Sequence, residues 1–320
     1  MSNVLVTGAF GFVGQWLVKE LLKKGDRVIA ISHDNMKLVH NWKTNDISLE
    51  QGDIRNYNFL QYIFYKYNID TIFHLAAQAL VSEALENPYE TMQTNIDGTV
   101  NLLECARNYN KLNRIIIASS DKAYGNEKAP YDESTPLNGR FPYDCSKSCE
   151  DLVSQSYRDT YNLPISILRC GNIFGGGDFN WNRVFPEAIK SCYEQRPMDI
   201  RSDGKSMLRD YIYIEDVISA YLFISGLDSN EIVNVSYGGT KTVLSILKDV
   251  QNKTGIHILP NINNTAKCEI DFQCLDSTYI RSLGWKPEFD YEKGVEKTVN
   301  WYYDYFERNL NIDEFKKYNS

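Results

Sequence analysis

Thr7-Gly8-Ala9-Phe10-Gly11-Phe12-Val13-Gly14 decides the fold of this chain. It follows an apolar run, Val4–Thr7, and opens an amphipathic one, Phe12–Lys24, so the GxxGxxG glycines sit on a strand–turn–helix. There the first glycines permit a tight turn and let backbone N–H groups approach a pyrophosphate at the helix N-terminus, and the last lets helix and strand pack closely. Gly8, Phe10, Gly11, Phe12, Val13 and Gly14 are therefore candidate dinucleotide-binding residues. A glycine triplet alone is weak; the order of elements after it gives it weight.

Strand-like runs continue at Arg27–Ile31, Ile47–Glu50, Thr71–Leu75, Arg114–Ser119 and Ile165–Arg169, alternating with helical runs at Tyr57–Tyr67, Tyr89–Asn108 and Tyr143–Tyr161. That alternation predicts an α/β fold, a Rossmann-type doubly wound parallel sheet over residues 1–170. From 171 to 320 the pattern is less regular. A Gly-rich loop, Gly171–Asp178, precedes a short helix, a strand near Asp210–Ile214, helices near Glu215–Ile224 and Val243–Thr254, and a terminal helix over Tyr291–Arg308. These predict a smaller C-terminal α/β substrate lobe, with the chain crossing between lobes.

The 320 residues are 43% hydrophobic and 24% charged, as in ordinary globular proteins, with a net charge of −8. That balance argues against a nucleic-acid partner, which needs a basic face. No run reaches the roughly 18 apolar residues of a membrane helix. The N-terminus enters a strand at once, without the regions of a signal peptide. The seven Cys form no CxxC pair, and no metal site is expected. A cytoplasmic protein with reduced thiols follows.

At the end of the second strand, an acid would bond a ribose 2′-hydroxyl, whereas Arg would favour a 2′-phosphate. Ser32 stands where the acid often sits and Asp34 two positions on, with no Arg after them, so NAD is expected over NADP. Tyr143-Asp144-Cys145-Ser146-Lys147 sets a phenol and an ammonium at i and i+4 on one helical face. That cation, with the nicotinamide charge, lowers a Tyr pKa from about 10, which lets Tyr143 take a proton from an alcohol near neutrality. Among 22 Tyr such a pair also arises by chance. Its place decides otherwise: it follows the Pro-rich loop after Arg114–Ser119, whose C-terminal end is where open α/β sheets put chemistry.

The glycine motif, His74-Leu75-Ala76-Ala77-Gln78, Thr94-Asn95, Ser119-Ser120-Asp121-Lys122-Ala123-Tyr124-Gly125, the YxxxK pair, Arg169-Cys170-Gly171-Asn172 and Leu283-Gly284-Trp285-Lys286-Pro287 occur in the order of the extended short-chain dehydrogenase/reductase family. The resemblance covers nearly the whole chain. It is strongest to nucleotide-sugar 4,6-dehydratases, and on His74–Val81, Ser120–Lys122 and Gly171–Asp178 to their CDP-glucose branch. The chain departs from that branch at Arg209-Asp210-Tyr211, where Arg-Pro-Trp is frequent, so the nucleotide base stays open.

The resemblance implies that Leu75, Ala76, Ala77, Asn95 and Ser119 lie along the cofactor, with Asp53 and Ile54 at its adenine; on pattern alone Asp53 is equally a turn residue. It implies a nucleotide-diphosphate sugar held by Gln78, Ser120, Asn172, Arg183 and Arg209, the Arg forks suiting phosphate. Taken alone, Arg183 reads as an exposed helix-start residue. The helices Tyr89–Asn108 and Tyr143–Tyr161 resemble those that pair in family homodimers.

The implied catalytic set is Ser120, Asp121, Lys122, Tyr143 and Lys147. Ser120 and Tyr143 contact the sugar 4-hydroxyl, whose oxidation acidifies the hydrogen on carbon 5. A dehydratase must also protonate the departing 6-hydroxyl and remove the carbon-5 proton. In the resembled enzymes the Asp is the acid and the next residue the base. Lys122 replaces the Glu of the dTDP-glucose type, and a Lys base must be neutral, through burial or positive neighbours. The bland alternative is a solvated Asp121–Lys122 turn pair. The expected reaction converts an NDP-hexose of glucose or N-acetylglucosamine type to its 4-keto-6-deoxy product, with NAD recycled internally. The rivals are a 4-epimerase, a 4-dehydrogenase, a 5,6-dehydratase and a non-catalytic NAD(P)-binding protein.

Overall fold

The computed structural model describes residues 2–33, 46–265 and 269–318; Asp34 lies outside them, as does Trp42. The strands are β1 (Asn3–Thr7), β2 (Arg27–Ser32), β3 (Ser48–Gln51), β4 (Thr71–His74), β5 (Arg114–Ser120), β6 (Ile165–Cys170), β7 (Asn172–Phe174), β8 (Met198–Ile200), β9 (Arg209–Tyr213), β10 (Ile232–Val235), β11 (Thr240–Lys241) and β12 (Pro260–Ile262). The helices are α1 (Phe12–Lys23), α2 (Tyr57–Tyr67), α3 (Val81–Glu86), α4 (Pro88–Met92), α5 (Gly98–Arg107), α6 (Pro142–Tyr161), α7 (Val184–Tyr193), α8 (Ile214–Ser225), α9 (Val243–Thr254), α10 (Thr278–Ser282) and α11 (Tyr291–Tyr318).

Seven parallel strands form the main sheet in the order β10-β6-β5-β4-β1-β2-β3. Their apolar residues alternate between its two faces, as expected of a sheet covered on both sides. Leu5, Ile29, Ile72, Ile115, Ile117 and Ile167 enter one core with Leu60, Phe64 and Leu102 of α2 and α5. Val4, Val6, Val28, Phe73, Ile116 and Leu168 enter the other with α1 and α8. The Rossmann-type sheet predicted from the alternation is thus present.

Two features differ from the sequence reading. Tyr89–Asn108 is not one helix: α4 ends at Met92, a π-helical turn spans Gln93–Asp97, and α5 begins at Gly98. The Asn95 side chain turns inward from that π turn, and a Cβ on Gly98 would lie 2.5 Å from Ile54 Cδ1, so α5 packs closely on the Ile54 side chain there. Within the Gly-rich loop, Asn172–Phe174 pairs with β9 as β7.

Past β6 the chain builds two small sheets, β11-β9-β7 and β12-β8, beside the main one. β10, which no periodicity signalled, returns to the main sheet as the partner of β6. Aromatic rings hold the terminal helix in place, Phe179 packing on Trp301 and Tyr305 and Trp181 stacking on Phe306. No helix among the described residues is long and apolar enough to cross a membrane.

Candidate active site

The chain reverses direction in the sheet between β1 and β4, and at such a switch point the carboxyl ends of the strands open a crevice. Gly8 turns the chain there with φ +67°, and a Cβ on it would lie 2.8 Å from the backbone of Leu75 and Ala76. A Cβ on Gly14 would lie 2.1 Å from Gly8 O, whereas on Gly11 it would stand 3.3 Å from that atom. Gly8 and Gly14 are thus demanded by packing. Gly11 caps α1 without a side-chain hydrogen bond, so the first-turn N–H groups are those a helix leaves for an anion.

A chain of hydrogen bonds ties β1 to β4. Thr99 spends its hydroxyl hydrogen on Asn95 O, so it accepts from His74 Nε2, and His74 Nδ1 accepts from Thr7 at 2.8 Å. Thr7 Oγ1 in turn accepts from the Leu75 and Ala76 N–H groups. Burial, with the nearby Lys147 charge, pushes His74 down to about 3, which keeps it neutral as this pattern requires. Asn95 clamps the Gln78 main chain from both sides and donates to Ser146 Oγ on α6.

The carboxyl end of β5 carries the candidate catalytic set. Ser120, Asp121, Lys122, Tyr143 and Lys147 all line a cavity of about 610 Å³, together with Phe12, Val13, Leu75, Ala77, Ser119, Asn172, Arg183 and Arg209. Ser120 caps a 3₁₀ turn over Asp121–Tyr124: its Oγ accepts from Lys122 N and donates to Asp121 Oδ1 at 3.1 Å. Asp121 is 2% exposed and its Oδ2 has no partner; burial raises its carboxyl above the ordinary range, against the pull of Lys122. Lys122 Nζ donates to Gln273 Oε1 at 2.6 Å and lies 4.0 Å from Glu269. Burial, then the Arg209 charge, lowers its pKa. The pair is not a solvated turn.

Lys147 Nζ donates to Ala118 O at 2.6 Å and to Glu150 Oε2 at 2.5 Å. Burial raises the Tyr143 pKa, and Lys147 offsets this only in part, so in the chain alone the phenol stands above its usual value. Lys147 thus pulls the phenol down as the sequence reading expects, but burial outweighs it. Asp144 is also buried, which pushes its carboxyl up to about 6. Neither Glu150 nor Asp144 was singled out by motif, although Glu150, at i+3 from Lys147, shares its helical face.

Both candidate phosphate-binding arginines carry carboxylate partners: Arg183 pairs with Asp178 at 3.0 Å and Arg209 with Glu269 at 3.1 Å. Asn172 donates to Asp210 O. Some candidates stand apart. The Gln78 amide turns to Leu80 O, and the residue does not line the cavity. The Ser119 hydroxyl donates to Asp151. Ile54 is buried in the core. Asp53, next to His33 at the end of β2, holds Arg55 through main chain and guanidinium; Phe10 lines a smaller adjoining pocket.

A Rossmann sheet with this cavity at its switch point defines an extended short-chain dehydrogenase that modifies nucleotide sugars. Residues 5–298 match the GDP-mannose 4,6 dehydratase family, and the chain belongs to it. It is 32% identical to a UDP-glucuronate 4-epimerase of Thermodesulfobacterium geofontis over 94% of this chain and 96% of that one. It is 29% identical to a dTDP-glucose 4,6-dehydratase of Haemophilus influenzae over 94% and 98%. The structure of a Thermotoga maritima UDP-glucose 4-epimerase with UDP-glucose superposes with a TM-score of 0.89 at 27% identity, covering 95% of this chain and 99% of that one.

Proposed function

We propose that the chain is a nucleotide-sugar 4,6-dehydratase that keeps NAD through its cycle. The observation that carries this reading is the buried Asp121–Lys122 pair beside Ser120, in which burial raises the Asp121 carboxyl above its ordinary range and lowers the Lys122 ammonium below its own. A neutral carboxyl can donate a proton and a neutral amine can take one, the two transfers elimination needs.

NAD, when bound, supplies reversible hydride acceptance. The α1 N-terminus beside the Gly8 turn fits its pyrophosphate, since no side chain caps its first-turn N–H groups. Ser32 and Asp53 stand at the strand ends where the ribose belongs, and Arg55 is already held by Asp53, which favours NAD over NADP. Ser120 orients the sugar 4-hydroxyl and Tyr143 takes its proton. Lys122 takes the carbon-5 proton, and Asp121 protonates the 6-hydroxyl as it leaves. Asn172, Arg183 and Arg209 hold the diphosphate, the two arginines exchanging carboxylate for phosphate oxygens.

The 32% relative supports a second reading, a 4-epimerase. That chemistry needs no proton donor at Asp121. Incubation with CDP-, UDP-, GDP- and dTDP-glucose, followed by product mass, separates the readings. Loss of one water is expected from at least one sugar; turnover with unchanged mass would overturn the dehydratase assignment.

The same reading assigns residues 1–170 to the cofactor, most of 171–320 to the sugar, and the enzyme to the cytoplasm. It also makes the enzyme a homodimer through the segment Tyr89–Asn108 (α4, the π turn and α5) and α6, where Tyr89, Leu152 and Tyr161 are exposed. Leu152→Lys should shift sedimentation toward a single chain.

A further inference from the structure

Lys147 has a partner that the YxxxK motif does not explain. Glu150 lies one turn further along α6, and the two side chains are 4% and 1% exposed with Nζ and Oε2 2.5 Å apart. Removing two charges from water is costly, and packing alone does not require it, because apolar residues of similar size often serve as well. An ammonium has three donors. Glu150 takes one and Ala118 O a second, which aims the remaining N–H and fixes the ammonium in one orientation.

We propose that Glu150 is a positioning residue that, through its ion pair with Lys147, sets the pH at which the Tyr143–Lys147 pair oxidises the sugar alcohol. This rests on the reading of that pair given above.

The groups around the Glu150–Lys147–Tyr143 cluster are Asp151 on the same helix, Tyr221 on α8, Cys170 on β6, His74 on β4, Asp121 on the 3₁₀ turn and, acting on Tyr143, Arg183 before α7. His74 is held neutral, and burial raises Tyr221, Cys170 and Asp121. Lys147 is therefore the cation that answers Glu150. Burial pushes the Glu150 carboxyl up to about 7, with Lys147 pulling it back. As a carboxylate it cancels much of the Lys147 field at the phenol; as a neutral acid it releases that field. A permanently neutral side chain should thus let Tyr143 ionise at lower pH.

Glu150→Gln tests this in two ways. The tyrosinate absorbance absent from Tyr143→Phe reports Tyr143 ionisation without any substrate, and its midpoint should fall by about one unit in the Gln variant. The rate of NAD reduction by CDP-, UDP-, GDP- or dTDP-glucose, whichever reacts, should show the same displacement of its pH profile. Glu150→Asp, which keeps the charge, should stay near the wild-type midpoint. Glu150→Ala, with room for water, is the second neutral variant should Gln not fold. An unmoved or raised midpoint in the neutral variants, or an Asp variant that moves as far as Gln, overturns the proposal. If instead Tyr143→Phe still reduces cofactor, the assigned oxidising pair fails, while the absorbance titration still judges Glu150.

Discussion

Lys122 Nζ and Gln273 Oε1, 151 positions apart in the chain, are joined by a hydrogen bond of 2.6 Å. The Gln273 side chain is wholly buried behind the cavity wall, and its Nε2 has no partner. It therefore acts as a fixed post for Lys122. Gln273→Leu should misplace the amine and slow elimination by up to about 10²-fold. Cofactor reduction by the sugar should persist, because Ser120, Tyr143 and Lys147 are untouched. Rapid-mixing absorbance would show both phases, and equal slowing of the two would remove Lys122 from the elimination step.

Asp121→Asn tests the acid. An amide cannot protonate the 6-hydroxyl, so elimination should slow by about 10²–10⁴-fold. Reduced cofactor and a 4-keto sugar should accumulate in a single turnover. A variant that dehydrates at full speed would show that the acid lies elsewhere.

Gly11→Val separates the cofactor cradle from the fold. A Cβ there would meet Gly8 O at 3.3 Å, a tight contact but far milder than the 2.1 Å collision at Gly14. Melting should change little while calorimetry shows NAD binding lost. Retained affinity would reject the glycine turn as the pyrophosphate site.

Asp210, in β9, gives a pH prediction with a definite sign. Burial pushes its carboxyl up to about 7, against an ordinary 3.8. Between those values the unfolded chain gives up this proton and the folded chain keeps it, so the group's contribution to stability is lost as pH rises from about 4 to about 7. Asp210→Asn removes that dependence. Its melting temperature should gain on the wild type across this window and run parallel above it. The gap corresponds to at most about 4 kcal/mol at 1.36 kcal/mol per unit. A constant difference at all pH values would contradict the raised carboxyl.

The first half of the fold was legible because its signals are local. The strand ends, the glycine turn and α6 depend on periodicity and caps within a few residues, and the strands alternate cleanly between two cores. β10 was missed because four residues pairing with β6 carry no period of their own. The π turn at Gln93–Asp97 was missed because its cause, Asn95 reaching Gln78 and Ser146, is tertiary. Tyr143, Lys147, Asp121 and Lys122 were readable as a motif. Their partners Gln273 and Glu269 were not, since both come from the far end of the chain. The burial that opposes Lys147 at Tyr143 was not readable either, because i+4 spacing reveals the cation but not what covers the phenol.

The placement of β10 has a consequence for recombining this enzyme with its relatives. The stretch between β6 and β10 leaves the main sheet and comes back to it, so it is an excursion rather than a trailing module. A hybrid joined by a single crossover near residue 170 would take its outermost strand from one parent and the neighbouring strand from another. Ile232–Val235 would then have to match a foreign Ile167–Cys170 edge in register. Transplanting sugar recognition cleanly calls for two seams, one after Cys170 and one before Ile232. With those seams Lys122 and Gln273 come from the same parent, whereas Arg209 comes from the other and must find its Glu269 contact across the seam.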